Sequence, residues 1–372
     1  MEFVNATDMV AGYTLGLDPS GRESLVVVLK GTFGIPADGD EPRLLDEQVP
    51  LVDSDTFEGE PGFSAPVYEA DYAPVKPKCD VLLLGCAYAP RGRATAAVNA
   101  SLEVGPIRKT IRVVGERRWN NFLFWTWPGR PKPFKTMPIS YGRAFGGVDP
   151  VPAEPKLGRT YLPNHVGVGY SVSLWGRGRM TKLPAPNTEQ PGKPVRGTRG
   201  RYRPMSFGPV GRAWLPRPRW AGTYDQKWLD EVMPFLPKDF DTRYFQCAPE
   251  DQQMPYPQGG ETVKLTGLTP EGRCAFRLPR LDVPLEFDLR DEKEMQVHRP
   301  VVDTLVIEPD LRRFSMVWRF ARPLKRNLFE VQRVIAGRMP AGWYHARRTG
   351  KNYAGSVGAT VRTQVGVMEP GS

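Results

Sequence analysis

Apolar and polar positions alternate along most of this chain and only rarely recur at helical spacing. Residues 9–17 and 25–33 read as the two arms of a hairpin across Asp18-Pro19-Ser20-Gly21, a turn sequence with Pro and Gly where turn geometry favours them. The second arm carries Leu25-Val-Val-Val-Leu, continuously apolar, which predicts a buried strand. Residues 79–89 form another strand, stopped by Pro90-Arg91-Gly92. Val98, Ala100, Leu102 and Val104 alternate with small or polar residues, so residues 96–104 and 107–114 make a second hairpin about Gly105-Pro106 with one wet face. Short strands return at 262–265, 273–278, 285–289, 304–307 and 313–320, separated by turns at Thr269-Pro-Glu-Gly and near Pro309-Asp310. Two segments read as helix. Trp228, Leu229, Val232 and Met233 follow Thr223 and Asp225, which can cap, and end at Pro234, while Leu328, Val331 and Ile335 share one helical face within 327–337. The expected fold is mainly β (α+β): antiparallel, β-sandwich-like sheets with long Pro/Gly-rich loops and a few short helices.

Residues 134–150 join the strand-patterned first third to a long basic middle, and they fit neither period. Pro133, Pro138 and Pro150 interrupt helix or ladder, while Gly142, Gly146 and Gly147 permit unusual backbone angles. Tyr141, Arg143 and Phe145 stand at alternate positions in this shaped loop. It can bring backbone close to a partner or pack as a plug into its own core, and buried aromatics favour the plug. Seven of the nine tryptophans lie between Trp119 and Trp228, among them a cluster with Phe122, Phe124, Trp125 and Trp127, and large rings can hold together a segment that ladders serve least.

The 372 residues suffice for one large or two ordinary domains, and 38 Gly with 39 Pro disfavour a helical bundle. Residues 1–320 are expected to form one β-rich domain, which can divide into sheets from 1–118 and 261–320 bridged by the aromatic and basic 119–260, followed by a helix and tail over 321–372. No long apolar run and no signal-like N-terminus occur, so a cytoplasmic protein is expected. The net charge of +10 is segregated. Residues 156–219 hold 13 Lys plus Arg against the single acid Glu189, and residues 38–71 hold 11 Asp plus Glu against Arg43 alone. Such a field can steer a partner, or the two stretches can face each other within the fold. Residues 176–204, with Gly176-Arg-Gly-Arg and several further arginines, read as exposed loop.

Catalytic chemistry leaves little trace. The glycines of 142–147 lack the Lys-Ser/Thr of a phosphate loop, and no nucleophile elbow is present. Cys79, Cys86, Cys247 and Cys274 with His165, His298 and His345 show no zinc spacing. Asp225, Asp239, Asp241, Glu250 and Asp251 offer acid–base pairs for a carboxylate-dependent hydrolase, but turn-rich sequence supplies carboxylates freely. Arginines interleaved with Tyr202, Phe207, Trp214 and Trp220 can contact phosphates and stack on bases, yet no RNA-recognition, helix-turn-helix or finger pattern accompanies them and a solvated basic loop is the plainer reading. No catalytic, cofactor or metal residue is assigned, and no enzyme is expected.

Seven stretches in order resemble one family: Phe57-Glu-Gly-Glu-Pro-Gly, Tyr72-Ala-Pro-Val-Lys-Pro-Lys-Cys-Asp-Val-Leu, Gly85-Cys-Ala-Tyr-Ala-Pro, residues 137–150, Phe207-Gly-Pro-Val, Ala221-Gly-Thr-Tyr-Asp-Gln-Lys-Trp and Phe245-Gln-Cys-Ala-Pro-Glu-Asp-Gln-Gln. Together they are similar to domain-of-unknown-function family 2169 (DUF2169), from about the N-terminus to residue 320. The resemblance implies a cytoplasmic accessory protein of the bacterial type VI secretion system, an adaptor or chaperone that loads a secreted effector or a PAAR-like spike protein onto the spike complex. It carries over no catalytic or cofactor residue.

Beside that analogy, a chaperone must cover apolar or sheet-edge surface on its client, and Arg, Tyr and Trp dominate binding energy at interfaces. Aromatics and arginines from Trp119 to Trp228 are expected to line a client groove, and Tyr141, Arg143, Phe145, Trp214 and Trp220 are the candidate partner-binding residues. Open sheet edges offer strand addition as a second means of holding a client. No membrane partner is expected.

Overall fold

In a computed structural model, residues 1–372 are described except 19, 38–39, 123–124, 150–158, 173–182, 352 and 354–372. The Gly176–Arg179 run, Phe124, Trp175 and nearly all of the tail after Lys351 therefore lie outside the described residues. The chain is mainly β and forms two compact units: residues 8–282 with 300–328 make one, and residues 1–7, 283–299 and those described from 329 onward make the other.

The first unit is built on a six-stranded sheet in the order Gln253–Met254, Cys79–Leu83, Val301–Glu308, Arg313–Pro323, Glu23–Gly34, Val10–Leu17. Cys79–Leu83 runs parallel to Val301–Glu308, and the other neighbours are antiparallel. Leu25 through Leu29 are fully buried, as an uninterrupted apolar run requires when both faces of a strand are covered. Leu51 and Tyr72, from the acidic loops, pack against Val26, Val28 and Val317. A five-stranded antiparallel sheet follows the order Thr188–Glu189, Ile107–Val114, Ala97–Val104, Thr262–Thr266, Arg273–Arg277. Val98, Ala100, Leu102 and Val104 are buried in it, as their alternation predicts. The two sheets meet where Phe276 stacks on Phe314 at 5.0 Å between ring centroids.

Residues 79–89 are not one strand. Cys79–Leu83 belongs to the large sheet, and after Leu84 the chain starts Gly85–Tyr88, which pairs with Thr136–Ile139 in a separate ribbon. The short helix is present as Gln226–Glu231, with the Asp225 carboxylate accepting from the Trp228 amide at 2.8 Å.

The second unit is a four-stranded sheet in the order Glu2–Ala6, Val331–Gly337, Leu285–Leu289, Gln296–His298. The helix expected over 327–337 is corrected here: Val331–Gly337 is a central strand, parallel to Glu2–Ala6 and antiparallel to Leu285–Leu289. A strand paired on both sides buries consecutive apolar residues, and Val334, Ile335 and Ala336 all have no exposure, so the helical spacing was coincidental. The helix of this unit is Ala341–Arg348, tied to the sheet by Tyr344 Oη donating to Glu286 at 2.9 Å and Arg347 to Asp288 at 2.7 Å.

Candidate functional site

Residues 134–149 divide two cores. Tyr141 enters one with Ala65, Ala144, Val210 and Trp214, its ring edge-on to Trp214 at 5.5 Å. Phe145 enters the other with Trp119, Ala185 and Val195, flanked by Tyr161 and Tyr202 at 5.0 and 4.9 Å. Gly147, at φ +101°, allows this crossing: a Cβ there would stand 2.4 Å from the Gly167 carbonyl oxygen. The plug reading therefore holds for Tyr141 and Phe145. Between them, Arg143 turns the other way.

Arg143 opens onto a cleft of about 700 Å³. One wall is the strand Arg117–Phe122, which pairs with Trp125–Pro128 and, at its root, with Pro184–Ala185. Arg118, Arg130 and Lys132 also line it, along with the carboxylates of Glu58 and Glu116. Arg143 is held loosely, with Asn187 at 3.5 Å, Met137 sulfur at 3.6 Å and Glu116 at 3.7 Å. Arg130 and Lys132 are exposed, and among the described residues their side chains make no ion pair or hydrogen bond. Arg117 is different, being buried and bonded to Glu189 and to the Pro186 carbonyl. Glu189, the sole acid of the basic stretch, is thereby consumed inside the fold, where it also accepts from the Val195 amide.

The hairpin above the cleft has two unlike faces. Trp119 is fully buried, whereas Phe122, Trp125 and Trp127 are 67, 75 and 44% exposed. Of the sequence candidates, Tyr141, Phe145 and Trp214 are buried and Arg143 and Trp220 keep accessible surface, Trp220 lying under the Arg243 guanidinium at 5.1 Å. Arg143 alone among them lines the cleft. Phe122, Trp125 and Trp127 were seen only as members of a cluster, but strand parity was available as a signal, since Trp119 and Phe122 must point to opposite faces.

The other chemistry is bound up in structure. Asp225 caps a helix, Asp239 accepts from the Thr223 amide and hydroxyl, Asp241 from the Arg243 amide and guanidinium, and Asp251 pairs with Lys109 and Arg203. Phe207 and Trp214, proposed as stacking platforms, are buried. Cys86, Tyr88 and Asp310 draw together, but burial and the Asp310 carboxylate push the Cys86 thiol up to about 12, the opposite of an activated thiolate.

Three of the sequence stretches that mark the family resemblance converge instead on a buried polar junction. Asp80 accepts from Lys76 at 3.0 Å, from the Gln246 side chain at 2.6 Å and from the Cys247 and Ala248 amides at 2.9 and 3.1 Å. Gln252 donates to the carbonyls of Val81 and Phe207 at 2.6 and 2.8 Å. Burial opposes the Lys76 charge, but Cys247 and Asp80 outweigh it and raise the ammonium above its ordinary value. These residues hold loops to the large sheet, a structural role.

No helix among the described residues is long and apolar enough to cross a membrane. A family model described as an uncharacterized protein conserved in bacteria (DUF2169) matches residues 20–319. No curated protein and no solved structure matches the chain.

Proposed function

This chain belongs to the DUF2169 family, and from its cleft we propose that it is a non-catalytic polypeptide-binding protein: an adaptor or chaperone acting in the bacterial cytoplasm that holds an effector or a PAAR-like spike protein of a type VI secretion system for loading. The observation that carries the binding part is the outward aromatic face of the hairpin, Phe122, Trp125 and Trp127, on the strand pair whose Arg118 and Asn120 line a cleft that also bears Arg130 and Lys132, cations without an ion pair among the described residues. Exposed rings and basic side chains on one hairpin and its neighbouring cleft are the composition of interface anchors, and rings left in water carry a cost that a partner removes. The secretion part rests on the resemblance of the seven stretches.

Co-expression with an effector or spike protein encoded beside it tests the reading. Raised soluble yield of that product and its co-purification are expected, with both lost in Trp125→Ala/Trp127→Ala. Unchanged yield and no co-purification with any neighbouring product would overturn it.

A further inference from the structure

The same face also specifies what kind of segment it takes, an inference that rests on the polypeptide-binding reading. Antiparallel register sets Asn120 opposite Trp127 and Phe122 opposite Trp125. Because side chains alternate along a strand, Arg118, Asn120 and Phe122 share one face with Trp125 and Trp127, and Trp119 lies on the other. Arg118 and Asn120, at the root of this face, are also cleft wall, so the strand that carries Phe122 leads into the cleft bearing Arg130, Lys132 and Arg143.

We propose that this track binds an extended, acidic segment of a client polypeptide, with apolar side chains laid on Phe122, Trp125 and Trp127 and carboxylates over Lys132 and Arg143. Charge complementarity argues for the acid. Arg130 and Lys132 form no ion pair among the described residues, and the contacts of Arg143 at 3.5 Å or longer are weaker than the paired bonds a guanidinium makes to a carboxylate. The carboxylates of Glu58 and Glu116 on the same wall argue against a nucleic-acid strand. A strand of phosphates would set negative charge against them, whereas a polypeptide can place a neutral or basic residue there.

Anisotropy with the full chain and short fluorescein-labelled peptides tests this, using one peptide that alternates Glu with Leu, one that alternates Gln with Leu, and a single-stranded oligo-dT. The Glu peptide is expected to bind about tenfold more tightly than the Gln peptide. Trp125→Ala/Trp127→Ala and, separately, Lys132→Ala/Arg143→Ala should each weaken it by about tenfold or more. Circular dichroism of both variants should match the parent, because all four side chains keep accessible surface. Equal affinity for the Glu and Gln peptides, preference for oligo-dT, or undiminished binding by the tryptophan variant would overturn the inference. Equal peptide affinities with client co-purification still lost in the tryptophan variant would remove the acidic specificity and leave the adaptor reading intact. Acid-selective peptide binding with no client captured would do the reverse.

Discussion

Arg217 and Glu69, 148 residues apart, meet in a two-point pair, Nη1 to Oε2 at 2.6 Å and Nη2 to Oε1 at 2.8 Å. The remaining donors of Arg217 are spent on the Val210 and Tyr244 carbonyls. Arg212 joins the same carboxylate at 3.0 Å and Asp55 at 2.7 Å. The acidic and basic stretches thus face each other within one unit, at least through these residues. Part of the segregated charge is an internal clamp, and the surplus lies on surfaces such as the cleft.

Removing one side of the clamp should be worse than removing both. Arg217 is 1% exposed, so Glu69→Ala leaves a buried cation without its counter-charge, at a cost of about 3–5 kcal/mol. Glu69→Leu/Arg217→Met removes both charges and should recover most of that loss. Urea denaturation midpoints check the order, and a double variant as unstable as Glu69→Ala would contradict it.

Acid should loosen the same clamp. Burial alone would raise Asp55, but the Arg212 guanidinium and the Ala70 amide hold it below its ordinary 3.8. A carboxyl depressed on folding contributes stability that is present above the unfolded value and lost as pH falls through the lower folded one. Stability should therefore drop below about pH 4, with a shallower drop in Asp55→Asn. Urea midpoints between pH 6 and pH 3 read the slope, taking roughly neutral to acid as the range set by carboxylate pKa values.

Lys109 gives the same sign on the alkaline side. Burial pulls its ammonium down from 10.5 to about 8, with Asp251 opposing and Arg203 assisting. Between those values the unfolded chain holds a proton that the folded chain has released, so Lys109 contributes stability that rises with pH from about 8. From about 9, thiols held neutral by burial, Cys79, Cys86 and Cys247, work the other way, and above about 10 buried tyrosines such as Tyr141 join them. The stability of the parent relative to Lys109→Met should therefore rise between pH 8 and 10, read from urea midpoints of the two proteins across that window.

How legible these features were follows from the range of the forces that build them. The hairpin of Val10–Leu17 and Glu23–Gly34 could be read because its pattern and its turn are local. Val331–Gly337 could not, since its partner Glu2–Ala6 lies at the far end of the chain and a doubly covered strand does not alternate. The shaped loop at 134–150 was visible from its prolines and glycines. That Tyr141 and Phe145 turn inward while Arg143 turns outward was not, because the choice is made by Trp214 and Trp119, distant residues whose positions no local pattern carries.

The two faces of the 117–128 hairpin supply the sharpest test, because they assign opposite roles to chemically identical side chains. Trp119 has no exposure and packs with Phe145, Ala185 and Val195, so Trp119→Ala should cost about 3–5 kcal/mol through lost burial and the cavity left behind. Trp125 is 75% exposed, and Trp125→Ala should change stability by less than about 0.5 kcal/mol. Client capture should rank the same two variants by a different rule. Measured at a temperature where both are folded, Trp125→Ala should lose the partner, while Trp119→Ala should keep it in proportion to its folded fraction. Thermal melts and pull-downs on one set of samples decide the matter. If Trp125→Ala destabilised the protein as much as Trp119→Ala, the outer rings would be part of the core and no docking face would remain.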